Sequence, residues 1–322
     1  MTYRRGSAEV SWFHHHSSVP DLIARKGGRT VSVVLPALNE QATIAGVLAS
    51  IRHLVGTLVD ELVVVDSGST DDTVRIAESA GATAVYTREE AIPSIPVRPG
   101  KGEVLWRSLA VTTGDLIVFV DSDLLAPSPL FVPALLAPLL LDDDIALVKG
   151  CYRRPLAAGM PGEVDGGGRV TQLAARPLLA ALAPELGEVL QPLGGEYAAT
   201  RNLLTSIPFA PGYGVEIGIL LDTWQRRGAH AIAQVDLGTR IHRNRPTHEL
   251  AVMSRQLVAT LLDRLGILDS GAGLVQYHPD GPSWRRTVST VSLADRPPMA
   301  SLHSLDSAVS APSLMRPVSR TD

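Results

Sequence analysis

In the first half of the chain, apolar residues fall in short unbroken runs separated by stretches of helical periodicity. Residues 31–35 (VSVVL) form a β-branched run stopped by Pro36, and the pattern predicts a buried parallel strand. Ile44, Val47, Leu48, Ile51, Leu54 and Val55 then recur at helical spacing. Further strands are expected over 61–65, 83–86 (the weakest), 116–120 and 145–148, with a helix over 130–141. Residues 67–72 read as a turn opening a helix whose first turn holds acidic residues, where the helix dipole favours them. Strands too apolar to have a wet face, alternating with helices, predict an α/β fold: a mainly parallel sheet flanked by helices, with right-handed crossovers. Ligands of such sheets bind beyond the carboxyl ends of the strands. The polar stretches 36–40, 66–67 and 121–123 all fall there.

The second half has a different texture. Residues 157–168 are rich in Gly and Pro, which predicts a mobile loop. Helices are expected over 170–182, 215–227 and 248–265, with one strand near 231–235, as a helical subdomain packed on the sheet. The first 29 residues are polar and aperiodic. His14, His15 and His16 cannot all face one ion on a regular element, so a solvated terminus is expected. After Pro297 the Ser-, Pro- and Ala-rich tail predicts disorder.

Composition changes this picture little. Of 322 residues, 45% are hydrophobic and 19% charged, which is globular rather than disordered. A net charge of −4 gives no global attraction to nucleic acid or an anionic membrane. The single Cys151 excludes an internal disulfide and a multi-cysteine zinc site, and fits a reducing cytoplasm. No apolar run approaches the ~20 residues a membrane-spanning helix needs, and the N-terminus lacks the apolar core of a signal peptide.

Candidate chemistry gathers at the expected strand ends. No Gly-x-Gly-x-x-Gly opens a helix, and Gly100-Lys101 lacks the earlier glycine of a phosphate-binding P-loop, which disfavours a dinucleotide oxidoreductase or a P-loop kinase. Asp121-Ser122-Asp123 has two carboxylates two residues apart, which in an extended segment point the same way and can share one divalent cation. A solvated strand-end turn has the same pattern. Pro36, Ala37, Leu38, Asn39 and Glu40 can read a base and ribose through backbone and carboxylate, or form a plain connection with Asn39 as helix N-cap. Ser67 opens a hydroxyl-rich turn suited to an anion or a ribose, though helix capping explains it equally. Lys101 is expected on a flexible, Gly-flanked loop, facing solvent or free to swing onto a phosphate. Gly168, Arg169, Val170 and Thr171 follow two further glycines and combine helix N–H groups, a guanidinium and a hydroxyl, as an anion site or a flexible linker would. Tyr213, Gly214, Val215 and Glu216 open an apolar helix. Arg240, His242, Asn244 and Arg245 form a basic cluster in which His242 can act as a third metal ligand beside Asp123.

Taken in order, residues 33–40, 66–71, 98–102 and 121–123 resemble the family-2-like sugar transferases of the GT-A (nucleotide-diphospho-sugar transferase) fold. Residues 166–171, 209–216 and 242–246 narrow the resemblance to the glucosyl-3-phosphoglycerate synthases of actinobacteria, over roughly residues 30–299. That resemblance implies a retaining glucosyltransferase dependent on Mg²⁺ or Mn²⁺. It would move glucose from UDP-glucose to the 2-hydroxyl of D-3-phosphoglycerate, at the start of methylglucose lipopolysaccharide synthesis. It further implies a homodimer. By matching position, Pro36, Ala37, Leu38, Asn39, Glu40, Ser67 and Lys101 would bind the UDP part, with Asp121 and Ser122 on ribose or phosphate. Asp123 and His242 would be metal ligands, and Tyr213, Gly214, Val215, Glu216, Arg240 and Arg245 would line the donor site. Gly168, Arg169, Val170, Thr171 and Asn244 would hold phosphoglycerate. Glu216, Asp123 and Lys101 are the expected catalytic groups, Glu216 orienting the sugar rather than forming a covalent adduct. The chain divides into a polar segment (1–29), a nucleotide-sugar-binding α/β domain (30–155), an acceptor-binding subdomain (156–296) and a tail (297–322). A GDP-mannose transferase to the same acceptor shares this layout, and a non-catalytic nucleotide-sugar-binding protein is the alternative outside enzymes. A sugar-nucleotide pyrophosphorylase is disfavoured because no Gly-rich loop with Arg and Lys follows the first strand.

Overall fold

The computed structural model describes residues 9–13, 17–153, 168–240 and 246–302. The chain enters through β1 (Ser11–Phe13) and helix α1 (Val19–Lys26). It then alternates through β2 (Val31–Ala37), α2 (Ile44–Arg52), β3 (Glu61–Asp66), α3 (Thr73–Ser79), β4 (Ala84–Thr87) and the short α4 (Arg88–Ala91). Next come α5 (Lys101–Ser108), β5 (Leu116–Phe119), α6 (Phe131–Leu141) and β6 (Leu147–Arg153). The later part comprises a π-helical turn at Thr171–Ala175, α7 (Arg176–Leu182), β7 (Tyr197–Thr200), α8 (Arg201–Ser206), α9 (Val215–Arg227) and β8 (Ile232–Thr239). Helix α10 (Thr247–Arg264) and the hairpin β9 (Leu274–Asp280)–β10 (Ser283–Ser289) follow.

Eight strands make one sheet in the order β1-β8-β6-β7-β5-β2-β3-β4. Every neighbouring pair is parallel except those of β7, which runs antiparallel to both β5 and β6. The alternation of the strands divides the core. Val33 and Leu35 join Leu22, Leu48 and Leu135 on one face, while Val34 joins Trp106, Phe119, Leu203 and Leu257 on the other. With both faces covered, the strands need no polar alternation, which is why they read as continuous apolar runs. Because β7 is reversed, its beginning lies at the same edge as the ends of β2, β3, β5, β6 and β8.

Several expectations are corrected here. The N-terminal stretch is not aperiodic throughout: Ser18 and Asp21 cap α1 reciprocally, and the helix buries Leu22. Lys26, also buried, bonds Asp60 across 2.7 Å and the Thr57 carbonyl. The tail does not loosen at residue 297. Trp106 donates to the Pro297 carbonyl at 2.8 Å and Met299 is buried, a docking that bulk Ser/Pro/Ala composition hides. Residues 71 and 72 precede α3 instead of lying in its first turn, and Asp71 accepts from the Thr73 amide and hydroxyl. Residues 157–167 of the loop expected over 157–168, and the histidines 14–16, lie outside the described residues. Among the described residues no helix is long and apolar enough to cross a membrane.

Candidate active site

At the end of β2 the chain turns through Asn39, whose φ of +57° is left-handed, a conformation that Asn tolerates better than most residues. Its amide donates to Ser69 Oγ and its own Oδ1 accepts from the Thr70 amide, which stitches the loop after β2 to the loop after β3. Asn39 is therefore not the N-cap of α2; that position is Thr43. Glu40 donates its amide to Thr73 Oγ1, and Ser67 donates its amide to the Ala37 carbonyl. Ser122 is buried and its hydroxyl donates to the Pro36 carbonyl at 2.8 Å, tying the D-x-D turn to the same loop, from which Leu38 projects half-exposed.

Lys101 does not sit on a flexible loop. It is the first residue of α5, and the flanking glycines serve close approach, not mobility. A Cβ on Gly100, at φ +103°, would stand 2.8 Å from Gly212 Cα, and one on Gly102 would stand 2.0 Å from the Ala210 carbonyl oxygen. This contact presses α5 against the segment that opens α9. Lys101 Nζ thereby lies 2.5 Å from Asp121 Oδ1 and 2.7 Å from Glu216 Oε1. Burial works against the ammonium, but the carboxylates of Asp121 and Glu216 outweigh it and hold Lys101 well above its usual range. Burial likewise pushes Asp121 up, and the Lys101 and Arg240 cations overcome it and hold that carboxyl well below the ordinary range.

Arg240, at the end of β8, closes the cluster from the other side. Its Nη2 lies 2.9 Å from Asp121 Oδ2 and 2.8 Å from Asp123 Oδ1, and its Nη1 donates to the Tyr152 hydroxyl at 2.8 Å. Both aspartates thus meet one nitrogen, that of a guanidinium, and they do so from a turn at 122–123 and not from an extended segment. Tyr213 and Gly214 form the turn before α9. The Tyr213 amide donates to Gln256 Oε1, while Gly214 packs where a Cβ would meet Thr260 Oγ1, and Val215 is buried beside Glu216. A cavity of about 530 Å³ opens next to Tyr213, walled by α10 and the hairpin through Met253, His278 and Arg285.

Gly168 adopts φ +79° and its carbonyl accepts from the Gln172 amide at 2.9 Å, so the turn at 168–171 enters the π-helical stretch that packs against α10. Arg169 is exposed, whereas Val170 and Thr171 are buried. His242, Asn244 and Arg245 lie outside the described residues.

Sequence reasoning missed Lys149, Glu196, Tyr197 and Gly195. Lys149 on β6 is buried, donates to the Gly194 carbonyl at 2.7 Å and lies 4.6 Å from the Tyr197 ring centroid. Burial, partly opposed by Glu216, lowers it to about 8. Glu196 is fully buried 3.4 Å from Arg240 Nη2; burial raises its pKa against the pull of Arg240. Gly195 packs so closely on Asp121 that a Cβ would lie 2.2 Å from Oδ2. The double glycine Gly194-Gly195 was the one available signal.

The arrangement sets fixed cations among carboxylates at the carboxyl edge of a mainly parallel sheet. The glycosyl transferase family 2 model matches residues 32–155. A glucosyl-3-phosphoglycerate synthase of Mycolicibacterium smegmatis is 64% identical over 298 residues, covering 92% of this chain and 98% of that protein. The chain belongs to the glucosyl-3-phosphoglycerate synthase family. Its fold is that of the family: the crystal structure of the Mycobacterium tuberculosis synthase with Mn²⁺, UDP-glucose and phosphoglyceric acid superposes with a TM-score of 0.83 at 59% identity, covering 92% of this chain and 99% of that one. The same synthase with Mg²⁺ and UDP gives 0.84 at 60% identity, covering 91% and 99%.

Proposed function

We propose that this chain transfers glucose from UDP-glucose to the 2-hydroxyl of D-3-phosphoglycerate with retention, using Mg²⁺ or Mn²⁺. The observation that carries the reading is the convergence of Lys101, Asp121, Asp123, Glu216 and Arg240 in a chain that belongs to this family. Two cations there face three carboxylates, so the cluster has an excess of negative charge that a dication would reverse. The oxygen donors of Asp121 and Asp123 already point at one position, which fits a hard metal ion. Asp123 would hold the ion together with His242; among the described residues no group of three His, Cys, Asp or Glu side chains forms such a site. When bound, the metal supplies charge stabilisation for the departing diphosphate.

The residues of the chain do the positioning. In this reading the loops at 36–40 and 67 receive the uridine and ribose, and Lys101 and Arg240 supply fixed positive charge where the leaving phosphate gathers negative charge. Glu216 is tied to Lys101 at 2.7 Å and buried, which suits an orienting carboxylate better than a nucleophile. Attack from the departing face, with the leaving phosphate taking the proton of the acceptor hydroxyl, needs no covalent intermediate. Gly168, Arg169, Val170, Thr171 and Asn244 would take the acceptor's phosphate and carboxylate. A cytoplasmic homodimer completes the reading. The exposed Tyr277 and Trp284 on the hairpin support the dimer, and sedimentation velocity tests it. A matrix of UDP-glucose, GDP-glucose and GDP-mannose against 3-phosphoglycerate, with and without Mg²⁺, tests the activity. UDP-glucose with metal is expected to dominate, and preferred transfer from GDP-mannose would overturn the donor assignment.

A further inference from the structure

Glu196 stands directly before β7, at the edge where the site is built, and its side chain is 0% exposed. Among the described residues neither of its carboxylate oxygens has a partner of good hydrogen-bond geometry, although the Tyr152 hydroxyl lies near enough to help hold its pKa down. The nearest cation is Arg240, whose Nη2 is 3.4 Å from Glu196 Oε1. Both hydrogens of that nitrogen are spent on Asp121 and Asp123, at 2.9 and 2.8 Å, and Nη1 is held by Tyr152. Arg240 Nε is buried without a partner. A buried carboxylate whose ion pair is 3.4 Å long is costly, and a second state that pairs it more closely offsets that cost.

The geometry supplies that state. Arg240 Nη2 occupies the point on which the two aspartates converge, so a divalent cation taking that point at Asp123 would displace it. A displaced guanidinium has one buried anion within reach. We propose that Glu196 is a positioning residue: it receives the Arg240 guanidinium when a divalent cation replaces it at Asp123, so that metal entry exchanges one ion pair for another. The proposal rests on the reading of Asp123 as a metal ligand. Arg240 then remains beside the site, and the D-x-D carboxylates are never left without a counter-ion.

Two measurements on the full-length protein test this. Crystals of the wild-type protein grown without divalent metal and then soaked in Mn²⁺ are expected to show Arg240 leaving Asp123 and donating to Glu196 within hydrogen-bond distance. Arg240 still on Asp123 in the Mn²⁺-bound site, or displaced without meeting Glu196, overturns the exchange. In solution, Mn²⁺ titration followed by the electron paramagnetic resonance of free Mn²⁺ should show Glu196→Gln binding about ten- to a hundredfold more weakly, the range for a group that supports a metal site indirectly. The unfolding temperature of the metal-free variant should not fall. Binding within twofold of wild type overturns the proposal. Weaker binding with Arg240 unmoved in the wild-type crystals also overturns it, because the lost charge alone then accounts for the effect. If Glu196→Gln fails to fold, the wild-type crystals decide. Asp123→Asn separates the underlying reading: Mn²⁺ binding equal to wild type in that variant removes Asp123 from the metal site, whatever Glu196 does.

Discussion

Inside the sheet, Lys149 meets one carbonyl, that of Gly194, and the face of Tyr197. Burial lowers it to about 8 from 10.5, so between those values the unfolded chain holds a proton that the native state has released. The native state therefore gains stability as pH rises through that window; below 8 the full penalty of the buried charge applies. Relative to Lys149→Met, wild type should gain a few kcal/mol between pH 8 and 10.5 by urea unfolding; a pH-independent difference would contradict the burial account. Asp123 is one-third exposed, so Asp123→Ala should abolish metal-dependent turnover with the unfolding temperature little changed. Arg169→Ala should raise the KM for phosphoglycerate more than that for UDP-glucose, and an equal rise in both would undo its acceptor role. Asp121, Asp123 and Glu216 stood out in the sequence because strand ends and helix starts advertise their polar residues. Lys149 and Glu196 could not, because one polar residue within or beside an apolar run gives no hint of which buried charges it will meet.

Helix α5 shows how an element can mislead. Gly100-Lys101-Gly102 has the composition of a loop, yet it opens a helix because only glycines let α5 touch residues 210–212. Gly100→Ala adds strain at φ +103° and a Cβ 2.8 Å from Gly212, which should part Lys101 from Glu216. The expected result is kcat reduced by at least about tenfold with a native circular dichroism spectrum; unchanged kcat would show that this contact does not set the site. The long strands were legible because both their faces are buried. β7 was not, since Tyr-Ala-Ala-Thr is short and its two alanines are weak strand formers. The hairpin β9–β10 escaped because its strands are largely solvated and carry only scattered apolar residues.

Across the whole molecule, the end of the described chain is clamped to the site-bearing half. Arg296 bonds both Glu103 oxygens, at 2.6 and 2.7 Å, while Arg107 bonds the same carboxylate at 2.6 Å, all three being buried. Burial works to raise Glu103, and the two arginines hold its pKa below the ordinary value. Arg296→Ala removes one partner of a buried ionic group and should cost about 3–5 kcal/mol in chemical denaturation; a loss below about 1 kcal/mol would place the clamp among surface pairs.

The reversed strand β7 has a consequence for how the chain is made. Its neighbours β5 and β6 do not touch each other, and β6 pairs only with β7 and β8. A nascent polypeptide that has emerged only as far as residue 155 carries the whole of the segment shared with other family 2 transferases, yet β6 has nothing to pair with and β5 presents a bare edge. Within the sheet, the stretch matched by the family 2 model thus gains a neighbour for β6 only from β7 and β8, strands made after that stretch has ended.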